Sequence, residues 1–178
     1  MNILSAKLPL VTTGFDYALV DEDLFHELSQ YRWTVDKAHS GWHTNYVRRR
    51  PYINGVRLNF YLHREVLRLR GIEIPPGYEV DHINRDGLDN RTSNLRLASK
   101  AENRRNRGKQ KNSTSRFKGV QSINNGGWVA RIGAGRKGER LYLGYFTNEL
   151  DAAVAYNEAA LKLFGEFAVL NDLGGDAL

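Results

Sequence analysis

Val80-Asp-His-Ile-Asn-Arg-Asp-Gly-Leu-Asp-Asn-Arg-Thr-Ser-Asn-Leu-Arg-Leu-Ala-Ser99 is the stretch on which the reading of this chain turns. Glu79 to Ile83 predicts a strand, and Leu95 to Ala98 a second, shorter one. Between them, Asn84 to Asn94 is rich in Asn, Asp, Gly, Ser and Thr, the residues that close turns with their own side chains. Ser99 then opens a helix, and Glu102 three residues on completes a capping box. Asp81 and His82 are neighbours on the first strand and point to opposite faces if it continues. A strand that ends at His82 lets both reach one site.

Those side chains suit attack on a phosphodiester. Such a bond resists water because its charge repels nucleophiles and the departing alkoxide is poor. Cleavage needs a base to take a proton from water and a cation to neutralise the phosphate and leaving oxygen. His82 suits the first task, since its ordinary pKa lies near neutrality. Asp81 and Asn103 offer hard oxygen ligands for Mg²⁺ or Mn²⁺. Asn94, at the loop's end, is placed to tie loop backbone together and to fix the imidazole's orientation.

With Glu102-Asn-Arg104 and the upstream Leu62-His-Arg64, this stretch resembles the ββα-metal motif of HNH endonucleases of the phage and intron homing type. The resemblance implies that His82 is the general base, Asp81 and Asn103 hold the divalent metal, and Asn94 positions. The third signature position is Asn103, as in the homing subgroup. A structural zinc is ruled out because the chain has no cysteine to hold it. Among the other histidines, His63 is expected to pack near the site, and His26, His39 and His43 to lie at the surface.

Upstream, residues 1–75 predict an α+β region supporting the nuclease. Tyr17 to Val20 reads as a strand, and Asp21 as the cap of a helix with Leu24, Phe25 and Leu28 on its apolar face. Thr44 to Arg50 and Val56 to Leu62 read as strands joined by Asn54-Gly55, a strong hairpin signal. Leu62 to Leu69 follows as a helix with Leu62, Val66 and Leu69 on one stripe and Gly71 after it. Pro75-Pro76-Gly77 breaks the chain there, and residues 76–107 form the nuclease core.

Residues 108–115 contain no apolar side chain and read as a basic linker. Beyond them come three expected strands, Phe117 to Ile123, Trp128 to Ile132 and Arg140 to Phe146, with turns at Asn125-Gly126-Gly127 and Gly135 to Gly138. Asn148 caps a last helix with Leu150, Val154, Leu161 and Phe164 on its stripe. Residues 116–173 resemble the APETALA-two/ethylene-response-factor type of DNA-binding domain, on Phe117-Lys-Gly-Val120, Trp128 to Ile132, Leu141 to Phe146, Asp151 to Asn157 and Gly165 to Asn171. The fold class is therefore α+β: a ββα nuclease module with an N-terminal extension, linked to a three-stranded antiparallel sheet plus one helix.

In that second family the sheet enters the major groove. Alternation with Val120, Val129 and Leu141 facing the helix leaves Gln121, Trp128, Arg131, Arg140 and Tyr142 on the open face; completing a core remains the alternative for Trp128. The resemblance adds Lys118 to the positions near DNA. Net charge is +6, and cations crowd from Arg96 to Lys118 (Lys100, Arg104, Arg105, Arg107, Lys109, Lys111 and Arg116 between) against Glu102 alone. That stretch suits a polyanion.

These features point to a metal-dependent endonuclease acting on double-stranded DNA. A monomer with one site makes nicking the simpler outcome. The alternative is a DNA-binding regulator that keeps the nuclease fold as scaffold. Absence of cysteine, of a bilayer-length apolar run and of a secretory pattern points to the cytoplasm of a bacterium or phage-infected host, with no membrane partner.

Overall fold

The computed structural model describes residues 4–38, 44–106, 108, 113–123, 126–133 and 139–174. Packing divides the chain into two compact units, Met1–Ser99 and Lys100–Leu178.

The first unit opens with β1 (Ser5–Pro9) paired antiparallel to β2 (Tyr17–Asp21), followed by α1 (Glu22–Ser29). Next come β3 (Thr34–Asp36), β4 (Tyr46–Arg49), β5 (Tyr52–Ile53), β6 (Val56–Arg57) and β7 (Phe60–Tyr61). Strands β3, β4 and β7 form one antiparallel sheet, and β5 pairs with β6. Asn54 and Gly55 have φ of 51° and 77°, as the expected tight turn requires. Then α2 (Leu62–Leu69) stops where Gly71 takes a φ of 70°. Finally β8 (Tyr78–His82) pairs antiparallel with β9 (Leu95–Ser99), from Tyr78↔Ser99 to His82↔Leu95.

One core joins the N-terminal elements to this last hairpin. Leu8, Ala18, Val20, Leu24, Leu28, Trp33, Val47, Leu62, Val66 and Leu67 pack in a single cluster with Val80 and Leu95. The indole of Trp33 is fully buried and donates to Leu28 O at 2.8 Å, so its polar atom is satisfied. Asp21 stands at the start of α1 but makes no side-chain cap. Its buried carboxylate accepts instead from Arg70 at 2.9 Å and from the backbone and hydroxyl of Thr92. A guanidinium and two donors satisfy a desolvated carboxylate better than one helix N–H does.

In the second unit α3 (Lys100–Arg105) precedes a sheet of β10 (Val120–Ile123), β11 (Gly127–Gly133) and β12 (Arg140–Phe146), in that order and antiparallel. Helix α4 (Glu149–Phe164) packs on it, with Asn148 Oδ1 accepting from Leu150 N at 2.8 Å as expected of a cap. The first strand starts three residues later than anticipated. Gly119 has a φ of 78°, outside the extended region, so the paired strand begins at Val120, although Gly119 O still accepts from Arg131 N at 2.8 Å; the Tyr156 ring leaves no room there for a Cβ. The expected turns at Asn125 and at Gly135 to Gly138 fall outside the described residues, apart from Gly126 and Gly127.

The helix stripe also differs. Its buried residues are Ala152, Ala153, Tyr156 and Ala160, whereas Leu161 is 52% exposed. Alanines let the helix axis approach the sheet closely, and Tyr156 fills the space beside Gly119. Leu150 and Phe164 do pack against the core from the margins.

Candidate active site

The β8–β9 hairpin presents its last two residues of β8 differently. Asp81 lies directly opposite Arg96, whose Nε and terminal nitrogen both reach Asp81 Oδ2 at 2.9 Å. Both side chains are nearly buried. His82 ends the strand, is 3% exposed, and has Nε2 3.3 Å from Oδ1 of Asn90.

Asn90 is fully buried and held from three sides. Its backbone N–H donates to Leu19 O of β2 at 2.8 Å, and its Nδ2 donates to Gly87 O at 3.0 Å. With the amide nitrogen committed to a carbonyl, Oδ1 is the atom facing the imidazole. The hydrogen-bond network therefore assigns the ring hydrogen to Nε2 and leaves the lone pair on Nδ1. Asn90 was passed over in the sequence because Asp89-Asn90 reads as an ordinary turn pair.

Asn94 performs the first of its two expected tasks. Its Oδ1 accepts from Asn84 N at 3.0 Å, and its Nδ2 donates to Asn84 Oδ1 at 2.9 Å and Asp89 O at 2.7 Å. It thus closes the loop whose interior residue, Asn90, meets the ring. Asp89 braces the same loop, bonded to Arg91 and Asn84. Burial would raise its carboxyl, but the Arg91 bonds and charge, with help from Asn84, hold it below the usual range.

A second imidazole stands beside the first. His63, in the first turn of α2, is 6% exposed, and its ring centroid is 5.2 Å from that of His82. The rings of Tyr46 and Tyr61 complete the cluster at 5.4 and 5.5 Å from His63. Its buried Nδ1 has no hydrogen-bond partner. Burial, with the charges of His82 and Arg64, drives His63 well below the ordinary value of 6.5. Burial also lowers His82, opposed by the Asn90 bond and by Asp81, Asp86 and Asp89. In both rings burial thus favours the neutral form. The Leu62-His-Arg64 phrase was the sequence signal for His63. His26 is exposed as expected, while His39 and His43 lie outside the described residues.

The remaining expected site residues belong to the second unit. Asn103 sits half-buried on α3, Arg104 is exposed, and the guanidinium of Arg105 lies 4.9 Å over the Phe164 ring. Arg107, Lys109 and Lys111 lie outside the described residues. The ends of the basic stretch are occupied: Arg96 by Asp81, and Lys118 by donation from Nζ to Arg105 O at 2.8 Å. Arg116 is mostly exposed, 3.8 Å from Glu149.

On the sheet, Gln121 pairs with Val129, Val129 with Tyr145, and Arg131 with Tyr142, so these share the face turned from α4. Arg140, opposite Gly133, joins them. Val129 therefore faces away from the helix, contrary to expectation. Leu141, opposite the buried Ile132, keeps the helix side but is 48% exposed. Trp128 lies opposite Phe146 and packs against the Phe117, Val120, Ala130 and Ala152 cluster, so it completes a core. Tyr145, 51% exposed and overlying Gly127, was missed.

The hairpin thus sets a buried imidazole, His82, beside a buried carboxylate, Asp81, at a strand end. Comparison with known proteins gives the class. Residues 60–105 match the family model described as HNH endonuclease. An HNH endonuclease of Acanthamoeba polyphaga mimivirus is 31% identical over 157 residues, covering 88% of this chain and 75% of that protein. Dehydration-responsive element-binding proteins 2D and 2A of Arabidopsis thaliana are 36% and 42% identical over 85 and 71 residues. These cover 48% and 40% of this chain, in its C-terminal region, and only 41% and 21% of the plant proteins. The protein is a DNA endonuclease that carries an APETALA-two-type region. It belongs to the HNH endonuclease family. No helix among the described residues is long and apolar enough to cross a membrane.

Proposed function

We propose that the protein is a homing-type, divalent-metal-dependent nuclease that hydrolyses one strand of duplex DNA per engagement, as a monomer. The observation that carries this reading is the Asn90 amide, whose Oδ1 faces Nε2 of His82 at 3.3 Å and so fixes this buried ring beside Asp81. Burial favours the neutral form of that ring, the form that can take a proton from the attacking water.

Asp81 and Asn103 are the residues that would hold the ion. Among the described residues, no three His, Cys, Asp or Glu side chains form a metal cage. A carboxylate and a carboxamide nevertheless suit Mg²⁺, with Mn²⁺ as substitute, because this hard ion keeps several waters and needs few protein ligands. The buried Asp81 carboxylate, balanced here by Arg96, fits a cationic partner. When bound, the ion supplies positive charge to the phosphate and leaving oxygen. Asn94 and Asp89 keep the loop closed so that Asn90 stays on the ring.

The second unit grips the site. Gln121, Arg131, Arg140, Tyr142 and Tyr145 form the face offered to the major groove, while Trp128 serves its core. Arg104, Arg105, Arg107, Lys109, Lys111 and Arg116 follow phosphates, and DNA affinity falls with salt by counterion release. A phage or bacterial host cytoplasm suits this activity.

Supercoiled plasmid, with and without Mg²⁺, tests the reading. Wild type is expected to convert it to open circles only with the ion, and His82→Ala to bind without cutting. Equal cutting by His82→Ala removes the catalytic assignment.

A further inference from the structure

The segment between Tyr46 and Tyr61 is more regular than its short strands suggest. Arg48 pairs with Tyr61, Arg49 with Phe60, Tyr52 with Arg57 and Ile53 with Val56. The gap between the two ladders is bridged in the same register. Arg50 Nε donates to Asn59 Oδ1 at 2.9 Å, and Leu58 N donates to Pro51 O at 3.0 Å. Residues 48–61 thus keep one register along a two-stranded ribbon that turns at Asn54-Gly55, with the ladder itself broken at 50–51 and 58–59. Its end is bare: every residue from 52 to 59 is exposed.

Alternation gives the ribbon two unlike faces. Arg48, Arg50 and Tyr52 share one face with Arg57, Asn59 and Tyr61. Ile53, Val56 and Leu58 lie on the other, where Arg49 closes the root between Tyr31 and Phe60 at 4.0 and 4.3 Å. On the first face Arg48 is paired with Asp36, so among the described residues the cations there without a carboxylate partner are Arg50 and Arg57, with Tyr52 71% exposed between them. No acidic residue occurs from 46 to 61.

Resting on the reading of this chain as a nuclease of duplex DNA, we infer that the ribbon is a second DNA-contacting arm, laid by its Arg50–Tyr52–Arg57 face into a groove of the substrate beside the cut. Charge selects the occupant, since this face is cationic and aromatic with no carboxylate to repel phosphate. The major groove admits a two-stranded ribbon. Continuity places it, because the root of the arm is the catalytic cluster itself. Tyr46 lies 5.8 Å from the His82 ring, and Tyr61 stacks on His63. Eight residues separate Tyr46 from Asn54, which at about 3.3 Å per residue is at most ~26 Å of reach. At about 3.4 Å per base pair the tip contacts DNA within about eight base pairs of the cleaved bond.

The test uses the full chain with EDTA present to prevent cutting. Duplex containing the mapped cleavage position is titrated over a range of salt and footprinted, with wild type, Arg50→Gln/Arg57→Gln and Ile53→Ser/Val56→Ser. Removing the two cations is expected to reduce the slope of log affinity against log salt by roughly 2. It should also shorten protection on one side of the cut by up to about eight base pairs. The serine pair is expected to leave both unchanged. Retention of the wild-type slope and footprint by Arg50→Gln/Arg57→Gln overturns the arm alone, while plasmid nicking by wild type continues to support the nuclease. A footprint lost only in the serine pair, or an oligomeric state that the serine pair dissolves, also overturns it in favour of an apolar partner. Failure of wild type to bind duplex removes both readings together.

Discussion

Oδ1 of Asn90 lies 3.3 Å from Nε2 of His82, and the same amide's nitrogen donates to Gly87 O at 3.0 Å. One carboxamide thereby selects the tautomer of the imidazole and its rotation, and β2 fixes the Asn90 backbone through Leu19 O. The N-terminal region reaches the His82 ring through this chain of contacts.

Replacing Asn90 with Ala leaves an N–H of a buried ring without its acceptor and frees the tautomer. Partners of this kind are worth about 10–100-fold in activity. Single-turnover cleavage by Asn90→Ala is expected to slow by that factor while DNA affinity in EDTA stays within about twofold. A matched loss of affinity and rate, with rate per bound complex unchanged, shows that Asn90 only supports the fold.

His63 predicts a pH dependence of stability. Its folded pKa lies well below 6.5, so the unfolded chain binds more protons in the window between the two values. The contribution is full above pH 6.5 and is lost as pH falls from there through the folded value. His82 adds to it in the same direction. Wild type is expected to melt at lower temperature at pH 5.5 than at pH 7.5, in EDTA. His63→Phe, which keeps a ring among Tyr46, Tyr61 and His82, should show a smaller drop. An equal drop in the variant removes His63 from the account.

Asp21 predicts a structural cost away from the chemistry. Its carboxylate is 2% exposed and joins β2, Arg70 at the end of α2 and Thr92 before β9. Asp21→Ala leaves a partly buried guanidinium and the Thr92 N–H short of an acceptor, although Arg70 keeps Asp23. A loss of about 2–4 kcal/mol is expected from urea unfolding of the first unit. Under 0.5 kcal/mol, the bridge is ornamental.

What could be read from residues alone follows from how local each signal is. The Asn54-Gly55 turn, α2 with its Gly71 stop, the β8–loop–β9 unit and the Asn148 cap rest on neighbours in sequence, and they stand in the structure as expected. Features set by distant partners did not show. Asp21 looks like a cap until Arg70 and Thr92 arrive from 49 and 71 residues away. Asn90 looks like a turn residue until the loop folds back over His82. The alanine stripe of α4 was hidden because larger apolar residues nearby give a plausible rival stripe. In the last sheet, starting the first strand at Phe117 left its pairing with β11 unsettled, and that pairing decides which face Val129 and Trp128 take.

That reassignment separates two effects that would otherwise be confused in the second unit. Trp128 packs on the helix side, so Trp128→Ala removes core volume and is expected to destabilise the unit by about 3–5 kcal/mol, lowering DNA affinity only as the folded fraction falls. Arg131 and Arg140 stand on the opposite, exposed face, so Arg131→Gln and Arg140→Gln should leave melting unchanged. Each should instead reduce the salt slope of DNA binding by about 1. Thermal melting and salt titration of the three variants read the two effects apart. If Trp128→Ala melts like wild type yet loses DNA, or the arginine variants bind with unaltered slope, then the groove-facing surface is not the one that the Gln121–Val129–Tyr145 register defines.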